Sequence, residues 1–107
     1  MPRVPRIVGA VLCSFALTLA AAAAEVTVTV GHSRIDPSQV KVQAGDTVVF
    51  HNVDEMPGGH TIAADDGSFS SPPLAKDERW SHTFEAPGTH KIHIQQHPNA
   101  VGEIVVE

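Results

Sequence analysis

The chain has 107 residues, with seven Lys and Arg against twelve Asp and Glu, one Cys, one Trp and no Tyr. That length suits one small domain with a single core, and a net charge of −5 with His neutral argues against nucleic acid or an anionic membrane as partner. Seven His in so short a chain point toward metal on composition alone.

The N-terminus reads as a leader. Arg3 and Arg6 form a positive start, Ile7 to Leu19 an apolar stretch, and Ala20 to Ala24 a run of small residues suited to cleavage before Glu25. This is the pattern of a secretory signal peptide over 1–24. The apolar run is barely long enough to span a bilayer, so no membrane insertion of the mature chain is expected. The reading places the protein in the periplasm or outside the cell. Cys13 falls in the leader, so the mature chain lacks disulfides, thiolate ligands and thiol nucleophiles. All twelve acids lie beyond residue 24, against Arg34, Lys41, Lys76, Arg79 and Lys91, a net −7.

Beyond the leader, Val26, Val28 and Val30 alternate with Thr27 and Thr29, a period-2 strand of β-branched residues. Asp36-Pro37-Ser38 predicts a turn, Val40 and Val42 a short strand, and Ala44-Gly45-Asp46 a second turn. Thr47 to Asn52 predicts a third strand with Val48 and Phe50 on one face. Asp54 to Gly59 is a loop that Gly58 and Gly59 should soften. His60 to Ala63 is short and extended, and Asp65 to Asp77 is loop-rich. Trp80, His82 and Phe84 alternate in a strand, and Ala86-Pro87-Gly88 connects it to a returning strand, Thr89 to Ile94. Val101 to Val106 closes the domain. No window has a sustained helical period. Short strands separated by turn signals indicate a β-sandwich over 25–107.

Three segments then carry a family resemblance. Ala44-Gly45-Asp46-Thr47-Val48-Val49-Phe50-His51-Asn52-Val53-Asp54 is similar to a Gly-Asp-x-Val-x-Phe-x-Asn-x-Asp stretch of the cupredoxin family. Met56-Pro57-Gly58-Gly59-His60-Thr61-Ile62 resembles the segment that carries that family's first copper histidine, here with two extra glycines. His97-Pro98, three positions after Ile94, resembles the second histidine in a short amicyanin-type loop. The resemblance implies an all-β, cupredoxin-like Greek-key β-sandwich. It also implies a copper site with His60 and His97 as imidazole ligands.

The same resemblance marks what is missing. Ile94 stands at the place of the cysteine ligand and Ala100 at that of the axial methionine. Neither can bind copper, so intense blue colour and efficient electron transfer are not expected. Met56 is a candidate replacement, because a thioether favours Cu(I). Asp54 and Glu55 are nearby oxygen donors that would favour Cu(II) or zinc. With position 94 inward, parity turns His90 and Ile92 inward as well. In antiparallel hairpin pairing His82 would meet His90 inside the sandwich, as core histidines or as additional ligands. Such a pair predicts depressed pKa values and loss of stability in acid. His32, His51 and His93 are read as surface residues, with His93 the nearest to the site and a possible stray ligand.

Three functions compete at this level. One is a periplasmic or secreted protein that handles or delivers copper, with zinc as an alternative ion, through a His-dominated, non-blue site. Another is a metal-free cupredoxin frame serving as an interaction module for a periplasmic protein partner. The third is an electron carrier, which the missing sulfur ligands disfavour. No nucleophile–base constellation suggests an enzyme. A monomer is expected.

Overall fold

A computed structural model describes residues 23–107. Cys13 and the expected leader lie outside the described residues, apart from Ala23 and Ala24. Eight strands make up the described architecture: β1 (Glu25–Val30), β2 (Ile35–Asp36), β3 (Gln39–Val42), β4 (Asp46–Asn52), β5 (Ile62–Ala64), β6 (Arg79–Phe84), β7 (Gly88–Ile94) and β8 (His97–Val106). They form two four-stranded sheets, ordered β2-β1-β4-β6 and β3-β8-β7-β5. The all-β sandwich expected from the strand pattern is the one observed.

Period-2 alternation decides which residues form the core. In β4 every second residue, from Asp46 through Val48 and Phe50 to Asn52, is buried. Val28 and Val30 of the parallel neighbour β1 lie beside Phe50 and Asn52. The facing sheet contributes Ile62, Ile92, Ile94 and Ile104, each at most 1% exposed. At the first sheet's start, Asp46 caps the chain entry. Its carboxylate accepts from the backbone N–H of Ala24 and Gln43, both at 2.9 Å, and these bonds hold it below the usual carboxylate range. Backbone pairing also begins at Ala24, whose carbonyl accepts from Thr47 N–H at 3.0 Å.

One expectation is corrected. β6 and β7 are consecutive but belong to opposite sheets, β6 pairing with β4 and β7 with β8 and β5. The connection through Pro87 is therefore a crossover, and His82 and His90 are not hairpin partners. They sit half-buried at the open edge of the sandwich. Phe69, from the loop after β5, closes that edge by stacking on His82 with ring centroids 4.3 Å apart, and it meets Phe84 edge-on at 5.5 Å. His90 turns to the backbone, its Nε2 lying 2.8 Å from Ala86 O. Burial first, and then the charge of His90, lower the pKa of His82.

Gly59 is also misjudged by sequence. The run Met56-Pro57-Gly58-Gly59 closes a turn in which Gly59 N–H donates to Met56 O at 3.0 Å and Gly58 has φ +88°. Pro in the second place and a positive-φ Gly in the third are what a type II turn requires. Gly59 is not a softener. A Cβ there would lie 2.7 Å from Leu74 O. The close approach lets His60 exchange two backbone bonds with Leu74, at 3.0 and 2.9 Å.

Two measurements follow from these edges. Gly58→Ala introduces only the strain of a left-handed alanine, about 1 kcal/mol. Gly59→Ala adds a backbone clash, so its urea midpoint falls further, by at least another ~1 kcal/mol; equal losses would remove the close-approach argument. For His82 the folded chain binds its proton less readily than the unfolded chain, whose imidazole titrates near about 6.5. The unfolded state therefore gains more protons as pH falls, and stability drops below that value. His82→Phe keeps the stack on Phe69 and makes stability between pH 7 and 5 less pH-dependent. An unchanged slope would show that His82 does not carry the acid sensitivity.

Candidate metal centre

The candidate centre sits where β4 ends and the β7–β8 turn begins. Asn52, fully buried at the end of β4, organises the loop that follows. Its Oδ1 accepts from Asp54 N–H at 3.0 Å, and its Nδ2 donates to Leu74 O at 2.7 Å and Asp54 O at 3.2 Å. One amide thus holds both the Asp54 backbone and the Leu74 carbonyl on which His60 rests. The burial of Asn52 is sustained because both ends of its side chain are satisfied.

Asp54 in turn holds His60. The His60 ring is fully buried, and its Nε2 lies 2.9 Å from Asp54 Oδ2. Hydrogen bonding from His60 is the main reason the Asp54 carboxyl lies below its usual range, with partial burial opposing and His32 assisting. With Nε2–H donated to a carboxylate, the neutral ring carries its lone pair on Nδ1. That Nδ1 is buried and has no hydrogen-bond partner. A carboxylate behind one nitrogen and a free lone pair on the other is the arrangement that metal-ligating histidines adopt.

His97 opens β8, in the same sheet as β5, the strand into which the His60 segment leads. Its ring centroid lies 5.5 Å from that of His60, and its Nε2 is 3.3 Å from Met56 Sδ. The β7–β8 connection is tight, with Ile94 opposite His97 across Gln95 and Gln96 and an irregular register at His93/Ile94. Gln96 fastens this turn to the His60 segment. Its Oε1 accepts from Thr61 N–H at 2.7 Å, its Nε2 donates to Thr61 Oγ1 at 3.1 Å, and Gln95 N–H donates to Thr61 O at 2.9 Å. His60 and His97 are therefore brought together by polar bonds between their own loops.

Ile94, paired in register with His97, and Ala100 belong to the hydrophobic core. Both are core residues, 0% and 2% exposed. Neither side chain carries a donor atom for a metal. Met56, tied by its turn to Gly59, brings its sulfur beside the imidazole of His97.

The other candidates are placed elsewhere. His82 and His90 line the Phe69-covered edge and contact neither His60 nor His97 among the described contacts. His93 points to the outer face, where its Nδ1 is 2.6 Å from Asp65 Oδ1. His32, read from sequence as a surface residue, lies beside the centre: its ring centroid is 4.7 Å from that of His97, and its Nδ1 is 3.2 Å from Asp54 Oδ2. Asp54, one of two oxygen donors that the sequence places near the site, braces His60. Neither the role of Gln96 nor the approach of His32 follows from strand periodicity, because both depend on which loops meet. Among the described residues, no group of three or more His, Cys, Asp or Glu is arranged to hold a metal ion as it stands.

The donors that could hold an ion are thus His60 Nδ1, the imidazole of His97 and the Met56 thioether. Two imidazoles and a thioether suit a soft or borderline ion such as copper, and the orphaned Nδ1 gives the ion a buried lone pair to bind.

Comparison with known proteins agrees with this architecture. Amicyanin from Paracoccus denitrificans is 32% identical over 85 residues, covering 77% of this chain; the chain spans 65% of that relative's length. A purple cupredoxin from Nitrosopumilus maritimus superposes with a TM-score of 0.69 at 27% identity, over 77% of this chain and 99% of that one. An amicyanin variant with a methionine replaced by alanine, solved in the Cu(I) form, superposes with a TM-score of 0.68 at 31% identity, over 78% of this chain and 82% of that one. A family model described as a cupredoxin-like domain matches residues 6–106, and the chain belongs to that cupredoxin-like family.

Proposed function

We propose that this protein binds copper through His60 and His97, assisted by Met56, in a non-blue site, and that it handles or delivers the ion outside the cytoplasm. The observation that carries the reading is the buried, unpartnered His60 Nδ1 with Asp54 behind the opposite nitrogen. A buried imidazole nitrogen left without a partner is costly unless something binds it. The amicyanin variant solved in the Cu(I) form after a methionine-to-alanine change supports copper in this fold with one methionine fewer. The leader-like residues 1–24 support export.

Copper, when bound, supplies an ion that changes oxidation state and prefers softer donors when reduced. The chain's own residues do the rest. Asp54 orients the His60 ring and fixes its tautomer. Gln96 holds the His97 turn against Thr61. Ile94 and Ala100 offer no donor atom and stay within the core. Without a thiolate, the strong electronic coupling and charge-transfer colour of a blue site are not available, so storage or transfer of the ion suits the residues better than electron carriage. The proposal includes no catalytic role, and it takes the protein to be a monomer with a protein partner that receives or supplies copper.

A second reading is an interaction module without metal. It is favoured by the lack, among the described residues, of three His, Cys, Asp or Glu side chains set around one point. Calorimetry with Cu(II), Cu(I) and Zn(II) at neutral pH separates the two. The copper reading expects one ion per chain, only weak visible absorption, and loss of uptake in the His60→Ala, His97→Ala double variant. No uptake by the native protein would leave the module reading standing. Asp54→Asn should weaken copper about 10–100-fold while the fold persists, as loss of a bracing partner does elsewhere. Ile94→Cys should give an intense charge-transfer band on addition of Cu(II); a colourless product would show that position 94 does not face the ion.

A further inference from the structure

We propose that His32 is a third imidazole ligand of this copper site, entering from the solvent side; the inference rests on the copper reading above. It starts from one oxygen atom. Asp54 Oδ2 lies 2.9 Å from His60 Nε2 and 3.2 Å from His32 Nδ1. One carboxylate oxygen therefore holds two imidazoles, each through a single nitrogen. In His60 this leaves Nδ1 for an ion, and in His32 it leaves Nε2. The same bracing that readies the buried ring readies the exposed one.

The backbone keeps His32 at this place. It lies in the short connection between β1 and β2, whose ends are paired at Val30 and Ile35. Gly31 N–H donates to Arg34 O at 2.9 Å and closes the connection. Val53 N–H donates to Val30 O at 3.0 Å, tying the strand that leads into His32 to the segment that carries Asp54. The ring of His32 is tilted 54° to that of His97, with centroids 4.7 Å apart. His32 is thus nearer to His97 than His60 is, whose centroid lies 5.5 Å away.

The resting arrangement is not yet a closed triad, consistent with the lack of a preformed three-residue group among the described residues. The His32 side chain is 68% exposed, so its ring has room to turn about the Asp54 contact and bring Nε2 toward the ion. No proton need leave, since Nδ1–H stays on the carboxylate and Nε2 donates a lone pair. The competing account is a surface ion pair between His32 and Asp54, which would contribute little to stability and nothing to metal binding.

The two accounts differ in oxidation-state preference. A third imidazole strengthens Cu(II) binding, whereas two imidazoles and the Met56 thioether already suit Cu(I). The experiment compares the native protein with His32→Gln, which keeps a donor for Asp54 but has no ring, and with His32→Ala. Cu(II) and Cu(I) affinities are measured by competition with chelators, and the ring nitrogens on Cu(II) are counted by pulsed electron paramagnetic resonance. The expected result is three coupled imidazoles in the native protein and two in both variants. Cu(II) affinity should fall about tenfold or more, with a smaller change for Cu(I). Two imidazoles and unchanged Cu(II) affinity throughout would overturn the role of His32 while leaving His60 and His97 as the copper ligands. No copper uptake by the native protein would overturn this inference together with the reading on which it rests.

Discussion

The hydrogen bond between Asp54 and His60 orders the whole upper end of this sandwich. A fully buried imidazole has two nitrogens to satisfy, and the carboxylate satisfies one. Around that bond the chain has built its support. Asn52 fixes Asp54 from below, Leu74 carries the backbone of His60, and Gly59 yields the space that lets Leu74 come close. The bond to imidazole holds the acid's pKa below its usual range, and the bond to the acid makes the imidazole directional. Neither residue would be well placed without the other, and the unused nitrogen of His60 is a product of that mutual constraint.

Most of the sandwich can be read from alternation. Val26 to Val30, Thr47 to Asn52 and Thr89 to Ile94 each show the period-2 pattern that buries one face, and the turn residues separate them. Assignment of strands to sheets could not be read in the same way. Trp80 to Phe84 and Thr89 to Ile94 look like a hairpin because a short Pro-Gly connection joins them. Yet the chain crosses between sheets there, and His82 pairs with Val48 of β4 and stacks on Phe69 rather than pairing with His90. Local chemistry specifies a bend; it does not say which layer the chain enters next.

The centre shows the same division. His60 and His97 are legible through their flanking motifs, and Ile94 and Ala100 through their place relative to His97. The supporting bonds are not: Asn52 reaches Leu74 across 22 positions and Gln96 reaches Thr61 across 35, and the bond from Asp54 to His60, six positions apart, depends on how the intervening loop turns. His32 is the clearest case. Its own neighbourhood in sequence, Gly31 to Arg34, is that of an exposed turn, and its exposure is real. Its proximity to Asp54 and His97 arises because parallel β1 and β4 end side by side, at Val30 and Asn52, and deliver the loops that follow to one place.

Ile94 has a further consequence for how this protein meets its ion. With hydrocarbon at position 94, the chain has made that residue part of the continuous cluster that includes Phe50, Ile62, Ile92 and Ile104. The apolar core is then complete without an ion, and His60 Nδ1 remains the buried side-chain atom left unsatisfied among the described residues. Loading need not drive folding, and unloading need not threaten it. Occupancy would shift thermal stability only by mass action, growing with the logarithm of free ion above the dissociation constant. Under the proposed function, a protein made in this way would give up the ion without losing its apolar core.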